Sequence, residues 1–155
     1  MSNASALRQS LHVLEIPTAG HPILVPSACV AEVVNIGTVT RAPQAPSWCM
    51  GIVGWRLQGV PIISFEELTG QPTGGIATRG KLIVFFPFPG QPKHQFFAIM
   101  STSEPQPHTL NAADAVSVTS PVQSTYVAAS INLKGTSVLI PNWDTLGAVV
   151  FPKMV

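Results

Sequence analysis

The chain has 155 residues, 46% of them hydrophobic and only 10% charged, with a net charge of +1. That length suits one compact domain or two very small ones, with a sizeable buried core, and so apolar a composition is not that of a disordered tail. The eight Lys and Arg are spread singly, which leaves no electrostatic footprint for nucleic acid or an anionic membrane surface; apolar surface combined with low charge points instead to protein partners.

Fifteen prolines and twelve glycines punctuate the chain at short intervals, a pattern of many short strands rather than long helices. The opening Met1–Ala6 has no charged stretch followed by an apolar one, so no signal peptide is expected. The apolar run Leu82–Phe86 is far too short to span a bilayer. A cytoplasmic protein without membrane insertion is the expectation.

Leu11–Ile16 alternates and is rich in branched residues, and Ala19-Gly20 turns it into His21–Pro26 as an opening hairpin. Ser27 is placed to cap one helical turn through Glu32, before a strand over Val33–Val39. Arg41–Pro46 is a proline-bounded loop. Met50–Arg56 and Val60–Ser64 form a second hairpin around Leu57-Gln58-Gly59, with Arg56 as the one charge in an apolar stretch. Phe65–Leu68 reads as a short helix stopped at Gly70, with Glu66 and Glu67 on its exposed side, and Gln71–Gly75 as a loop.

Lys81–Phe86 and Gln95–Met100 are strands, Ser101–His108 a polar connector and Ala115–Thr119 a weaker strand. Tyr126–Leu133 and Ser137–Ile140 make a last hairpin around Lys134-Gly135, followed by a short helix from Pro141 that stops at Gly147. Each half thus ends in a hairpin and a short helix. About ten short strands favour small closed barrels, which remove exposed sheet edges, and the fold class is all-β.

Chemistry is sparse. Cys29 and Cys49 are far apart in apolar surroundings and form no CxxC, so buried thiols are expected and no zinc site. His12, His21, His94 and His108 share no motif. No nucleophile elbow, phosphate-binding glycine loop or HExxH helix is present. The sequence therefore predicts no metal, no cofactor and no catalysis. Two other classes stay open at this point: a β-barrel module for a small apolar ligand, which requires an internal cavity, and a hydrolase using Cys29 or Cys49, which requires a thiol of lowered pKa.

The order of several elements carries a resemblance. Glu32-Val33 follows a short turn; Pro46 closes a proline-rich connector; Gly51 leads a strand into Trp55-Arg56; Val60-Pro61-Ile62-Ile63 follows, then the helix Phe65–Leu68. Tyr126–Ile140 and Trp143–Leu146 complete the pattern. In these features residues 10–147 resemble the CheW domain family of chemotaxis coupling proteins. Trp55-Arg56, Ser64 and the short length are most similar to the CheW-like proteins of type IV pilus chemosensory systems, the PilI and ChpC type. The chain departs from the family at Leu57, where glycine usually follows the arginine, at Ser64, which replaces an aspartate, and at Met100–Ser103, which replaces a Val-Asp-x-Val step.

The resemblance implies a single domain over residues 8–150 after a flexible N-terminus at 1–7. Its fold would be two interleaved five-stranded SH3-like barrels around a shared core. It also implies a non-catalytic adaptor that ties the cytoplasmic domain of a methyl-accepting chemoreceptor to a CheA-type histidine kinase. Arg56 and Glu32 match the family's receptor-contact arginine and its surface glutamate, while Val30 and Gly51 fall where family positions touch the kinase.

Each assignment has a plainer alternative. Arg56 would face a partner through its planar fork, or pair internally with Glu32 or Glu66. Val30 and Gly51 serve equally as packing residues. If Arg56 and Trp55 are successive strand residues they point apart, which puts Trp55 in a barrel interior; Trp48 is read as core.

Overall fold

The computed structural model describes residues 10–41, 43–71, 80–88, 92, 95–114 and 116–152. The expectations for residues 1–7, for the loop at 72–75 and for His94 lie outside the described residues. The first sheet has the order β10-β11-β12-β2-β1-β9. Its strands are β1 (Leu11–Ile16), β2 (Ile23–Pro26), β9 (Gln106–Leu110), β10 (Val116–Ser117), β11 (Val127–Leu133) and β12 (Thr136–Pro141). The second has the order β3-β7-β8-β6-β5-β4. Its strands are β3 (Val30–Asn35), β4 (Val39–Thr40), β5 (Cys49–Trp55), β6 (Gln58–Ile63), β7 (Lys81–Phe85) and β8 (Phe97–Ser101). The chain leaves the first sheet after β2 and returns to it at β9, so the two units are interleaved.

Each sheet wraps its own apolar cluster. Val13, Leu24, Leu110, Ile131, Leu133 and Val138 fill the first. Met50, Val53, Trp55, Val60, Ile62, Leu82, Val84, Ala98 and Met100 fill the second. A third cluster lies between the sheets and draws on both: Ile16, Ile23, Val25 and Leu139 from one, Ile63, Ile83, Phe85, Phe97 and Ile99 from the other. Strands that separate two clusters are apolar on both faces. In β7, Leu82 and Val84 turn into the second barrel while Ile83 and Phe85 turn into the shared cluster, as alternation of side chains requires. The all-β architecture of two units on a shared core is therefore as the resemblance implies, with six described strands in each sheet rather than five.

Several local readings are corrected. Among the described residues twelve strands replace the expected ten, the additions being β4 and β9. The segment read as a polar connector contains β9, which pairs along β1 from Leu11↔Leu110 to Glu15↔Gln106. The turn after β2 is only a 3-10 turn over Ser27–Cys29 with no side-chain cap, so β3 begins at Val30.

Two short helices complete the fold. In α1 (Phe65–Leu68) the Ser64 side chain caps the N-terminus by accepting from the Glu67 amide. Glu66 in α1 is buried, not exposed. In α2 (Trp143–Val150) the Asn142 side chain accepts from the amides of Asp144 and Thr145. Gly147 lies inside α2 rather than ending it. A β-carbon there would meet the Phe88 ring at 3.3 Å, so its role is close approach of the helix to the shared cluster.

Candidate partner-binding site

The hairpin β5–β6 pairs Trp55 with Gln58, which leaves Arg56 and Leu57 as a two-residue turn. Both have positive φ, 46° and 64°. A two-residue hairpin favours this left-handed geometry because it matches the twist of the flanking strands. Arg56 is thus a turn residue and not a strand residue, and the expectation that it points away from Trp55 is corrected. Its guanidinium carbon lies 4.5 Å from the centroid of the Trp55 ring, a cation–π contact.

Trp55 itself is 8% exposed and belongs to the interior of the second barrel, as expected. Its ring packs 4.9 Å from that of Phe96. The indole and the guanidinium share one acceptor. Trp55 Nε1 donates to Glu32 Oε1 at 3.0 Å, and Arg56 Nη2 donates to the same oxygen at 3.2 Å. Glu32 stands on β3 beside a register shift between Val30 and Glu32 in the pairing with β7. One carboxylate oxygen therefore ties β3 to the hairpin tip, with the Arg56 and Glu32 side chains still 65% and 43% exposed.

These residues border an open cleft of about 690 Å³ that also takes in Asn35, Thr38 and Gly54. Asn35 Oδ1, on the cleft wall, accepts from Lys81 Nζ. Leu57, at the turn, is fully exposed.

The other two expected partner residues are not part of this cluster. Val30 opens β3 and packs half-buried against the shared core. Gly51 is buried at a register shift between Cys49 and Gly51, with φ 137° and so little room that a β-carbon would lie 2.6 Å from the Thr40 carbonyl oxygen. At about 3.4 Å per residue it sits on the order of 17 Å down β5 from Arg56. The departure at Leu57 pointed to an altered turn and Glu32 was an expected internal partner of Arg56; the sequence missed the bond from the Trp55 indole that makes Glu32 a shared acceptor.

The competing chemistries find little support. Among the described residues an apolar recess of about 260 Å³ is lined by Cys29, Phe85, Phe86, Phe88, Phe97 and Trp143; it belongs to the shared layer and not to the interior of either barrel, where a barrel ligand would sit. Burial pushes the Cys29 thiol pKa up, the opposite of an activated nucleophile. Both cysteines are free. His108 Nε2 lies 2.8 Å from Glu15 Oε1, and His12 Nδ1 3.2 Å from Thr109 Oγ1, both pairs bridging β1 and β9. Among the described residues no group of three or more His, Cys, Asp and Glu is placed to hold a metal ion. No described helix is long and apolar enough to cross a membrane.

Comparison with known proteins agrees with the architecture. The scaffolding protein TtCheW from Thermoanaerobacter tengcongensis has a similar crystal structure, with a TM-score of 0.73 over 86% of this chain and 85% of that one at 15% identity. Protein FrzA of Myxococcus xanthus is 33% identical over 60 residues, which is 39% of this chain and 38% of FrzA's length. Residues 12–148 match the CheW-like domain. The chain belongs to the CheW-like domain family.

Proposed function

We propose that the protein is a non-catalytic coupling adaptor, joining the cytoplasmic domain of a methyl-accepting chemoreceptor to a CheA-type histidine kinase. The observation that carries this reading is Arg56, fixed by Glu32 and laid on Trp55 yet kept largely in solvent. A guanidinium held in place outside the core is preorganised for a partner, since little side-chain freedom remains to be lost on binding. Glu32 serves the same surface as the residue that orients Arg56. Val30, which opens β3, and Gly51, at the register shift in β5, are assigned to the kinase-facing side. The resemblance to type IV pilus systems supports a cytoplasmic adaptor in signal transduction controlling twitching motility.

The experiment is a titration of the labelled full chain against two purified proteins from the same genome, a chemoreceptor cytoplasmic fragment and the CheA-type kinase. Saturable binding to both is expected. Binding to neither would sink the adaptor reading. A normal twitching zone on agar after deletion of the gene would sink the motility assignment alone.

A further inference from the structure

Arg56 and Glu32 pair at the surface, with side chains 65% and 43% exposed. An exposed ion pair between two long, flexible side chains holds neither of them firmly. The geometry that presents Arg56 to a partner must therefore start from a third group that is itself fixed.

Trp55 is that group. It is buried in the apolar cluster of the second barrel, and its ring packs 4.9 Å from that of Phe96, so close packing sets its rotamer. From that position one indole makes two different contacts. Its edge donates through Nε1 to Glu32 Oε1 at 3.0 Å, and its face lies 4.5 Å from the Arg56 guanidinium carbon. The edge bond sets the carboxylate on β3, and the same oxygen then accepts from Arg56 Nη2 at 3.2 Å. A φ of 46° at Arg56 lets that side chain fold back over the residue before it, which alternation along a strand would forbid. Ring, carboxylate and guanidinium close a triangle with one corner in the core.

A buried indole needs an acceptor for its N–H wherever it lies, and a backbone carbonyl would meet that need. Here the acceptor is a half-exposed carboxylate on another strand, one that also holds a surface cation.

We infer that Trp55 is the positioning residue of the Arg56 surface: its indole N–H sets the Glu32 carboxylate, and through it the direction in which Arg56 meets the chemoreceptor. This rests on the adaptor reading above and adds to it a residue that acts from inside the barrel.

Nuclear magnetic resonance tests the triangle without a partner. The Trp55 indole N–H cross-peak should move upfield in Glu32→Ala, because its charged acceptor is lost. Rotation of the Arg56 guanidinium about its Nε–Cζ bond should be faster in Trp55→Phe than in wild type, although Glu32 is still present. A stationary indole peak or an unchanged rotation rate overturns the inference, and the first readout leaves the core untouched.

Titrations against the chemoreceptor fragment complete the test. Trp55→Phe keeps an aromatic ring in the barrel and removes the donor. Where its circular dichroism matches wild type, its affinity should fall about fivefold, the cost of ordering a freed side chain on binding. In the Glu32→Ala background the same replacement should change affinity by no more than about twofold, because its route to Arg56 is gone. An equal loss in both backgrounds marks a merely structural tryptophan; it overturns the positioning role and leaves the adaptor reading intact. Failure of the wild-type chain to bind the fragment overturns the adaptor reading, and with it the receptor as what Trp55 serves, whatever the resonances show.

Discussion

Glu66 is 1% exposed, and its Oε2 has no hydrogen-bond partner among the described residues. Removal from water raises its pKa and the neighbouring Glu67 adds to the rise, against opposing hydrogen bonds from its own backbone amide and Ser64. The folded chain therefore holds a proton on Glu66 at pH values where the unfolded chain has released it. Stability falls as pH climbs from about 4.3, the unfolded value, through the higher folded value, and stays lowered above it. Glu66→Gln removes the ionisable group at nearly the same volume, so it should be more stable relative to wild type at pH 7 than at pH 4. Denaturant melts at the two pH values test this, and an equal difference at both would refute it. Arg56 presents the opposite case, a charge in water. Its ion pair and ring contact are worth roughly 1 kcal/mol together, so Arg56→Ala should cost about that much in a melt. Partner affinity should fall by about 2 kcal/mol or more. A loss of about 3–5 kcal/mol in stability would instead mark a buried structural pair.

Hairpins that carry the same topology solve their turns differently. Lys134 and Gly135 join β11 to β12 with φ 50° and 88°, and the Gly135 amide donates to Asn132 Oδ1 at 2.9 Å. That glycine made the turn legible in the sequence. At Arg56-Leu57 no glycine signals the turn, and the next glycine, Gly59, moved its expected start one residue late. The misplacement then reversed the inferred direction of Arg56 relative to Trp55. Strand β9 was hidden for a related reason. Gln106, Pro107, His108 and Thr109 are mostly exposed on an edge strand, where burial imposes no apolar alternation and proline is tolerated because one side of the backbone is unpaired. By contrast β6, β7 and β8 are buried by clusters on both faces, and their composition announced them. Gly51 shows where packing and partner contact need separating. Its positive φ and the 2.6 Å approach to Thr40 and Val39 mean that Gly51→Ala should lose about 2–4 kcal/mol of stability. A kinase-binding defect in such a variant is informative only when read at a temperature where its circular dichroism matches wild type. Full stability in Gly51→Ala would show that β4 and β5 can shift apart at little cost.

Across the whole molecule the two barrels are covalently interleaved and also share the cluster that holds them together. Ile16 of β1 is fully buried there with Ile63, Ile83, Phe97 and Ile99 of the opposite sheet. Leu146 of α2 joins the same cluster, and Phe88 stacks on Phe97 at a centroid distance of 4.4 Å. Neither sheet can lose this layer without exposing strands that are apolar on both faces. The molecule should therefore open as one cooperative unit rather than barrel by barrel. Ile16→Ala leaves a cavity in the shared layer and should cost about 2–5 kcal/mol. Ile16 belongs to the first sheet, yet amide hydrogen exchange in β6, β7 and β8 of the second sheet should accelerate by the same factor as exchange in β1 and β2. Exchange measured strand by strand on wild type and variant reads this directly. If protection falls in β1, β2 and β12 while β6–β8 keep their wild-type rates, the barrels are separate folding units. The tip at Arg56 and Leu57 would then be indifferent to events in the first barrel. If both sheets respond together, a load applied at that tip bears on one cooperative unit and is felt in the first barrel as well as the second.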